Sequence, residues 1–315
     1  MIDRSAKRRV VVAGGTGFLG RPLVETLVTR GYDVVVLSRQ TAPPRREGVR
    51  TVVWDPDGSA GPWMSEIDGA RAVINLAGAN IADGRWTVER KEELRSSRVL
   101  STRSLVAAVR AARAKPAVFV QGSAVGFYGL LDDREVDESF PPGDDFFGQM
   151  AMAWEAEARP VEALGLRLII LRSGVVLARD GGALKKMLLP FKLFGGGPIA
   201  SGRQYFSWIH RDDWMALLLW ALEYTAAIGP INATAPEPVT NAEFSRAVGR
   251  ALHRPSWLRV PGFALRVAVG ELATYALING QRVVPRRALA LNFQFRYPDI
   301  DSALQAALAS EAAPS

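Results

Sequence analysis

Short β-branched runs alternate with longer amphipathic stretches over the first 172 residues. Six apolar runs predict strands, at residues 10–13, 34–37, 51–54, 72–75, 117–121 and 168–171. Three longer segments carry apolar residues at helical spacing, at residues 19–30, 87–114 and 147–164. Near-continuous apolar strands separated by helices are typical of a parallel sheet covered on both faces. The order β-α-β-β-β-α-β-α-β therefore predicts an α/β fold built on a doubly wound parallel sheet.

The pattern changes after Arg172, where glycine-rich loops separate shorter elements. A helix is predicted from about Asp212, a further strand at 231–233, and a last module with helices at 263–277 and up to residue 308. We predict a dinucleotide-binding domain at residues 1–172 and a smaller substrate-covering region at 173–254, interleaved with late strands of the main sheet. Residues 255–315 form the C-terminal module, and its tail from 311 to 315 is predicted to be disordered.

A glycine-rich turn lies directly between the first predicted strand and the first predicted helix. Glycines permit a tight turn and a close approach of the backbone to a pyrophosphate, and a helix N-terminus offers unpaired N–H groups to the anion. Strand, turn and helix together are the context that a dinucleotide-binding motif requires. The alternative is a tight connection that binds nothing. The residues predicted to contact the cofactor are Gly14, Thr16, Gly17, Phe18, Leu19 and Gly20.

The end of the second predicted strand distinguishes NAD from NADP. An NAD enzyme generally places Asp or Glu there for the ribose 2′-hydroxyl, whereas Arg accommodates a 2′-phosphate. Here the strand ends with Ser38 and Arg39, and no carboxylate follows before Glu47. Arg39 can bond the phosphate and stack on adenine, Ser38 is a second donor, and Arg21 is a third candidate. The sequence therefore predicts NADP(H), the alternative being that Arg39 is a solvated loop residue.

Composition narrows the chemistry. The chain has 315 residues, no cysteine and two histidines, His210 and His253, which excludes thiol nucleophiles, disulfides, iron–sulfur clusters and Cys/His zinc sites. We predict no metal site. The two histidines also leave few side chains that titrate near neutral pH.

The formal charge of +7 favours an anionic partner. Its basic residues are spread along the chain rather than clustered among aromatics, so we predict no nucleic-acid partner. No run approaches the roughly 18 apolar residues of a membrane helix, and no convincing cleavage site follows the basic N-terminus. We therefore predict a cytoplasmic protein with a small-molecule substrate, whose identity and whose oligomeric state the sequence leaves open.

Further motifs follow the later strands. With the glycine turn, Asn75-Leu76-Ala77-Gly78 and Gly122-Ser123-Ala124, the chain resembles the extended short-chain dehydrogenase/reductase family, whose fold is a Rossmann sheet with a substrate region. It is most similar to an atypical branch, the epimerase-family or cell-division-inhibitor-like proteins, which end in a C-terminal module of unknown function. That likeness rests on Gly84-Arg85-Trp86-Thr87, Ser97-Arg98, Phe206-Ser207-Trp208-Ile209-His210 and residues 293–298. The resemblance implies that Asn75, Leu76, Ala77 and Gly78 line the cofactor; close packing of helix and strand is the alternative.

The chain departs from that family at its catalytic helix. Typical members carry Tyr, then Lys four residues later, often followed by Glu after four more; this spacing places them on one helix face, where the ammonium lowers the phenol pKa. Aligned on Glu155, this sequence has Phe147 at the Tyr position and Ala151 at the Lys position. Neither side chain can transfer a proton, so the usual mechanism is not available.

Four other residues are candidates for the site. Ser123 matches the serine that relatives place beside the nicotinamide, or it only ends a strand. Tyr128 is a candidate proton donor or a packing residue, and His210 is a candidate general acid or a structural residue at a helix start. Asp55, after the third strand, reaches the adenine side or forms a turn.

Two functions follow from these residues. The first is an NADP(H)-binding oxidoreductase or epimerase-like enzyme acting on a small polar molecule, for which the resemblance suggests a nucleotide sugar. The alternative is a non-catalytic NADP(H)-responsive regulatory or binding protein with a link to cell division.

Overall fold

Seven parallel strands form the central sheet of the computed structural model, which describes residues 8–40 and 47–309. The strands in chain order are β1 (Arg9–Ala13), β2 (Asp33–Ser38), β3 (Val49–Val53), β4 (Ala72–Asn75), β5 (Val118–Ala124), β6 (Glu135–Val136), β7 (Arg167–Ser173), β8 (Val175–Leu177), β9 (Tyr205–Phe206), β10 (Trp208–His210), β11 (Gly229–Ala233), β12 (Val239–Thr240) and β13 (Arg282–Val283). The main sheet has the order β11-β7-β5-β4-β1-β2-β3. The predicted doubly wound parallel sheet is confirmed. Its strand order reverses between β1 and β4, where such sheets bind dinucleotides at the carboxyl ends of the strands.

Helices cover this sheet and extend beyond it. They are α1 (Gly20–Thr29), α2 (Val88–Ala111), α3 (Phe146–Ala158), α4 (Pro160–Ala163), α5 (Gly182–Lys192), α6 (Arg211–Glu223), α7 (Asn241–Leu252), α8 (Gly262–Val269), α9 (Glu271–Ala273), α10 (Arg286–Ala290) and α11 (Ile300–Leu308). Short 3₁₀ helices lie at Pro62–Glu66 and Val125–Tyr128, and a π-helical turn at Thr274–Ile278.

Two predicted helices are interrupted. The helix predicted at 147–164 divides into α3 and α4 because Pro160 has no N–H to continue the hydrogen-bond ladder. The helix predicted at 263–277 divides into α8, α9 and the π-helical turn because Gly270 adopts a φ of +69°, outside the helical region.

The core has one apolar layer on each face of the sheet. Val10 and Val12 of β1 belong to the layer beneath α1 and α6, whereas Val11 and Ala13 belong to the layer beneath α2 and α4. All four are completely buried. Because alternate strand residues point to opposite faces, burial on both faces explains why this strand is apolar at every one of these positions.

The later segments join the main sheet and add short pairs. β11 pairs with β7 at the edge of the main sheet. Three small pairs join β8 with β10, β9 with β12, and β6 with β13, the last linking the C-terminal segment to the first half of the chain. The division into three domains stays a prediction, and the predicted disordered tail at 311–315 lies outside the described residues. Across residues 8–40 and 47–309, no helix has the length and apolarity needed to cross a membrane.

Candidate functional site

The glycines of the turn after β1 allow three backbone segments to approach one another. A Cβ added to Gly14, whose φ is +81°, would lie 2.6 Å from the carbonyl carbon of Leu76 after β4. A Cβ added to Gly20 would lie 2.1 Å from the Gly14 oxygen, so this glycine lets α1 start directly against the turn. A Cβ on Gly17 would meet only the Gly14 oxygen, at 3.3 Å. The outer side of the turn at Gly17 is thus open enough for a ligand.

The N-terminus of α1 is electrostatically ready for an anion. No side chain caps it at Leu19, and its first turn contains no acidic residue. Arg21 donates from Nε to the carbonyl oxygen of Thr16, at 2.7 Å, which fixes the shape of the turn. A ten-residue helix with an uncapped start carries partial positive charge and free N–H groups there. Together with the space at Gly17, this arrangement fits a pyrophosphate.

Phe18 connects the turn to the predicted substrate-covering region. A Cβ added to Gly181 would lie 2.6 Å from the Phe18 ring, and one added to Gly182 would lie 2.8 Å from it. Only glycines allow the loop before α5 to lie this close to the ring. The contact places the start of α5 over the predicted cofactor turn.

Arg39 lies next to the turn because β1 and β2 are paired up to Ala13 and Leu37. Its side chain is exposed, and no carboxylate of the described ranges forms an ion pair with it. The Ser38 hydroxyl accepts the N–H of Gln40 at 3.2 Å and helps to shape this loop. Asp55, also exposed, lies on the far side of β2, two residues after β3. A solvent-facing guanidinium thus directly follows β2, at the position where dinucleotide-binding folds generally contact the adenosine ribose.

Asn75 shapes the turn after β4 from inside the protein. Its amide nitrogen donates to Thr102 Oγ1 at 2.9 Å and to Gln121 Oε1 at 3.2 Å, and its oxygen accepts from the N–H of Ala77 at 3.1 Å. The side chain is completely buried. Of the predicted segment from Asn75 to Gly78, the residues that follow Asn75 are therefore the ones that can face a ligand.

A buried ion pair holds the Ser123 hydroxyl. Glu155 of α3 and Arg172 of β7 form two hydrogen bonds of 2.9 Å, and Ser123 donates to Glu155 Oε1 at 2.7 Å. Exposure is 5% for Ser123, 2% for Glu155 and 3% for Arg172. Burial alone lowers the pKa of Arg172, but hydrogen bonds and charge from Glu155 raise it above its ordinary value. Arg172 therefore keeps its charge beside Glu155, and the Ser123 hydroxyl directs its hydrogen toward the Glu155 carboxylate.

Tyr128 belongs to the same network but is enclosed by protein. Its hydroxyl donates to Asn232 Oδ1 at 2.7 Å and accepts from Arg172 Nη1 at 3.1 Å. Exposure is 1%, and burial raises the pKa of the phenol to about 12. Glu138 extends the network, since its carboxylate accepts the N–H of Asn232 at 2.9 Å. Tyr128 is thus held protonated between β5, β7 and β11.

His210 lies at the start of α6. Its Nδ1 accepts the N–H of Asp212 at 3.2 Å, which caps the helix, and its ring centroid is 4.1 Å from that of Tyr297. Burial lowers its pKa. The buried carboxylate of Asp213 accepts the N–H groups of Arg296 and Tyr297, each at 2.9 Å, and so anchors the C-terminal module. The structure brings Ser123 and Tyr128 together through Arg172 and gives His210 a different set of contacts.

Phe147 and Ala151 lie in apolar surroundings. The Phe147 ring packs edge-on against Trp86 at 5.2 Å and against Tyr275 at 5.7 Å. Ala151 is 2% exposed and packs in a cluster with Phe127 and Tyr128. The two positions that carry Tyr and Lys in typical relatives are thus part of the packing between α3, the Trp86 loop and the C-terminal segment.

Sequence reasoning missed several polar residues around Ser123. Arg172 could have been recognised from the sequence. It follows an apolar run, and a charge in a buried strand needs a partner. Arg98 and Trp154, which lie near the turn after β4, were not identified either. Their roles depend on contacts between distant segments, which the local pattern does not contain. The described residues hold no cluster of three or more metal-ligating side chains.

Comparisons with known proteins match nearly the whole chain. Residues 10–233 match the model of the NAD dependent epimerase/dehydratase family, and residues 260–307 match a domain of unknown function, DUF1731. The epimerase family protein SDR39U1 of Bos taurus is 40% identical over 305 residues, covering 96% of this chain and 100% of that protein.

The solved structures that are similar to this one include two above 30% sequence identity. The crystal structure of human epimerase family protein SDR39U1 (isoform 2) with NADPH matches with a TM-score of 0.86 at 39% identity, covering 95% of this chain and 98% of that one. The nucleoside-diphosphate sugar epimerase of Corynebacterium glutamicum matches with a TM-score of 0.76 at 32% identity, covering 95% of this chain and 58% of that one.

Proposed function

The chain belongs to the NAD dependent epimerase/dehydratase family, and from this premise we propose that it binds NADP(H) and acts as an oxidoreductase or epimerase-like enzyme on a small polar substrate. The reaction proceeds without the Tyr/Lys pair of typical short-chain dehydrogenases. The resemblance drawn from the motifs is confirmed at the level of the family and of its C-terminal domain.

The observation that carries the cofactor assignment is Arg39 at the end of β2, exposed and without an ion-pair partner among the described residues. A 2′-phosphate would neutralise it, whereas NAD would leave the ribose without the usual carboxylate partner. The NADPH in the human relative supports the same choice. In this assignment Gly14 to Gly20 hold the pyrophosphate and Arg39 with Ser38 the 2′-phosphate, while Asp55 on the adenine side remains a prediction.

The nicotinamide supplies a hydride donor or acceptor when bound. Its half of the cofactor would lie over the carboxyl ends of β4 and β5, beside Ser123. Because Ser123 donates its hydroxyl hydrogen bond to Glu155, its oxygen keeps lone pairs with which to accept a hydrogen bond from a substrate hydroxyl. We therefore assign Ser123 the role of orienting a substrate alcohol.

Tyr128 and His210 receive structural roles in this proposal. The Tyr128 hydroxyl already has a donor and an acceptor and is shielded from solvent. His210 uses Nδ1 to cap α6. The proton taken up when a carbonyl is reduced, or released when an alcohol is oxidised, is then exchanged with another residue or with water. A nucleotide sugar as substrate, a cytoplasmic location and the absence of a nucleic-acid partner remain predictions.

A second function is favoured by Phe147 and Ala151, which fill the acid–base positions with packed apolar side chains. In that case the protein is an NADP(H)-responsive binding or regulatory protein with a link to cell division. Cofactor binding would stabilise the contact between the turn after β1 and the loop before α5, and a partner protein would bind that conformation.

One experiment separates the two functions. The purified protein is titrated with NADPH, and the nicotinamide absorbance is followed with a panel of carbonyl compounds. Nucleotide sugars are incubated with the protein and the oxidised cofactor, and their products are separated by chromatography, because epimerisation causes no net change in absorbance. Ser123→Ala is the comparison variant in both assays. Turnover that Ser123→Ala abolishes supports the enzyme. Tight NADPH binding without turnover on any member of the panel supports the regulatory function, and failure to bind NADPH contradicts both.

A further inference from the structure

A half-buried arginine of α2, Arg98, lies against the turn after β4 without a carboxylate partner among the described residues. Arg98 donates from Nη1 to the carbonyl oxygen of Leu94 at 2.9 Å, but its Nε is buried and has no acceptor. Burial, with a contribution from the charge of Arg90, lowers the pKa of Arg98 to about 10. An unpaired charge away from water is costly, and an anion would remove that cost.

A second donor without an acceptor lies against the first. The indole Nε1 of Trp154, on α3, is buried and unpartnered. The Arg98 guanidinium carbon is 5.1 Å from the centroid of the Trp154 ring. Five buried side-chain polar atoms in the described part of the chain have no partner, and two of them belong to this one contact. Two side chains in contact, each with a buried N–H that lacks an acceptor, are suited to a ligand with oxygen atoms.

The two side chains adjoin the strand ends where the nicotinamide half of the cofactor is proposed, Arg98 through its Cγ and Nε and Trp154 through its ring carbon Cη2. A Cβ added to Gly78, in the turn after β4, would lie 3.1 Å from Arg98 Cγ and 3.4 Å from its Nε. A Cβ added to Gly122, the neighbour of Ser123, would lie 3.6 Å from the Trp154 ring. Arg98 keeps part of its surface exposed, so a ligand can reach it.

We propose that Arg98 and Trp154 bind an oxyanion of the substrate, a carboxylate or a phosphate, beside Ser123. The inference rests on the proposed function for the position of the reacting carbon, and it narrows the substrate to a small anionic molecule that carries a hydroxyl or carbonyl group. The guanidinium supplies a charged donor and the indole a neutral one. Ser123 would contact the reacting hydroxyl while Arg98 holds the charged end.

Calorimetric titration of the folded protein tests this site directly. The probes are oxamate, inorganic phosphate and the uncharged oxamide, each added with and without saturating NADPH. The variants are Arg98→Gln, Arg98→Lys and Trp154→Phe, and the matched control is Arg95→Gln, an exposed arginine on the same helix. NADPH affinity and thermal unfolding are measured for every variant, so that loss of the fold is recognised.

We expect one of the two anions, and not oxamide, to bind the parent and Arg95→Gln. Arg98→Gln should weaken that binding roughly tenfold or more, Arg98→Lys less, and Trp154→Phe about threefold, with NADPH affinity changed less than about twofold. The proposal is overturned if neither anion binds, if Arg98→Gln binds it like the parent, or if Arg98→Gln loses NADPH instead, since the acceptor is then the cofactor's own phosphate. Anion binding through Arg98 in a protein that does not bind NADPH would refute the proposed function and leave this site standing.

Discussion

Replacing Arg172 with methionine tests how much the buried Glu155–Arg172 ion pair stabilises the fold around Ser123. The change removes two 2.9 Å hydrogen bonds to Glu155 and leaves that carboxylate at 2% exposure without its counter-charge. Breaking a buried pair in this way costs about 3–5 kcal/mol, a large share of the roughly 5–15 kcal/mol that stabilises a typical domain. Tyr128 also loses its donor from Arg172 Nη1. We therefore expect Arg172→Met to lower the free energy of unfolding by at least about 3 kcal/mol.

Urea unfolding followed by circular dichroism measures this loss, with Arg103→Met as the matched control. Arg103 forms an ion pair of 2.6 Å with Glu157, but it is 52% exposed, so its removal should cost at most about 1 kcal/mol. The double variant Glu155→Leu/Arg172→Met should recover part of the stability, because it no longer buries an unpaired charge. If Arg172→Met costs no more than Arg103→Met, the pair does not carry the energy assigned to it here.

Three further predictions concern the turn and the titrating groups. Gly17→Ala should lower the thermal unfolding temperature only slightly, because its Cβ makes one tight contact, 3.3 Å from the Gly14 oxygen. It should weaken NADPH binding roughly tenfold in a fluorescence titration, and unchanged affinity would exclude a cofactor contact at this face of the turn. Burial lowers the pKa of His210, so its contribution to stability is present above pH 6.5 and is lost as pH falls through the folded pKa. His210→Asn keeps a helix cap, and in urea unfolding it should no longer show this loss of stability at low pH. If the loss persists in the variant, another group causes it. Burial raises the pKa of Tyr128 to about 12, so its contribution to stability is present below pH 10 and is lost as pH rises toward 12. The tyrosinate absorbance should show a late step near that pH, which Tyr128→Phe removes. A parent protein without that step would contradict the burial of Tyr128.

The central sheet could be predicted from local pattern because each strand is short, apolar and followed by a turn or helix. The run 72–75 coincides with β4, and every other predicted strand overlaps an observed one. The two helix interruptions depended on backbone rules at Pro160 and Gly270 rather than on periodicity. The strand pairs of two or three residues, such as β6 with β13, have too few residues for a pattern, since their stability comes from tertiary packing.

The candidate site also has a part that could be predicted from the sequence and a part that could not. The glycine turn and Arg39 could be predicted from the sequence, because the roles proposed for them depend on the order of residues along the chain. The Ser123–Glu155–Arg172 network was not, because its members are joined only when β5, α3 and β7 pack together. The same holds for Arg98 against Trp154, whose significance lies in unpartnered atoms that only the structure identifies.

The preference of the protein for NADPH over NADH, and its dependence on Arg39, tests the central claim most directly. Equilibrium titration of the parent and Arg39→Ala with both cofactors measures it. We predict that the parent binds NADPH more tightly and that Arg39→Ala loses charge-assisted bonds worth about 1.5–3 kcal/mol, a roughly ten- to hundredfold weakening for NADPH with little change for NADH. Tighter binding of NADH by the parent, or NADPH affinity that is the same in Arg39→Ala, would contradict the account.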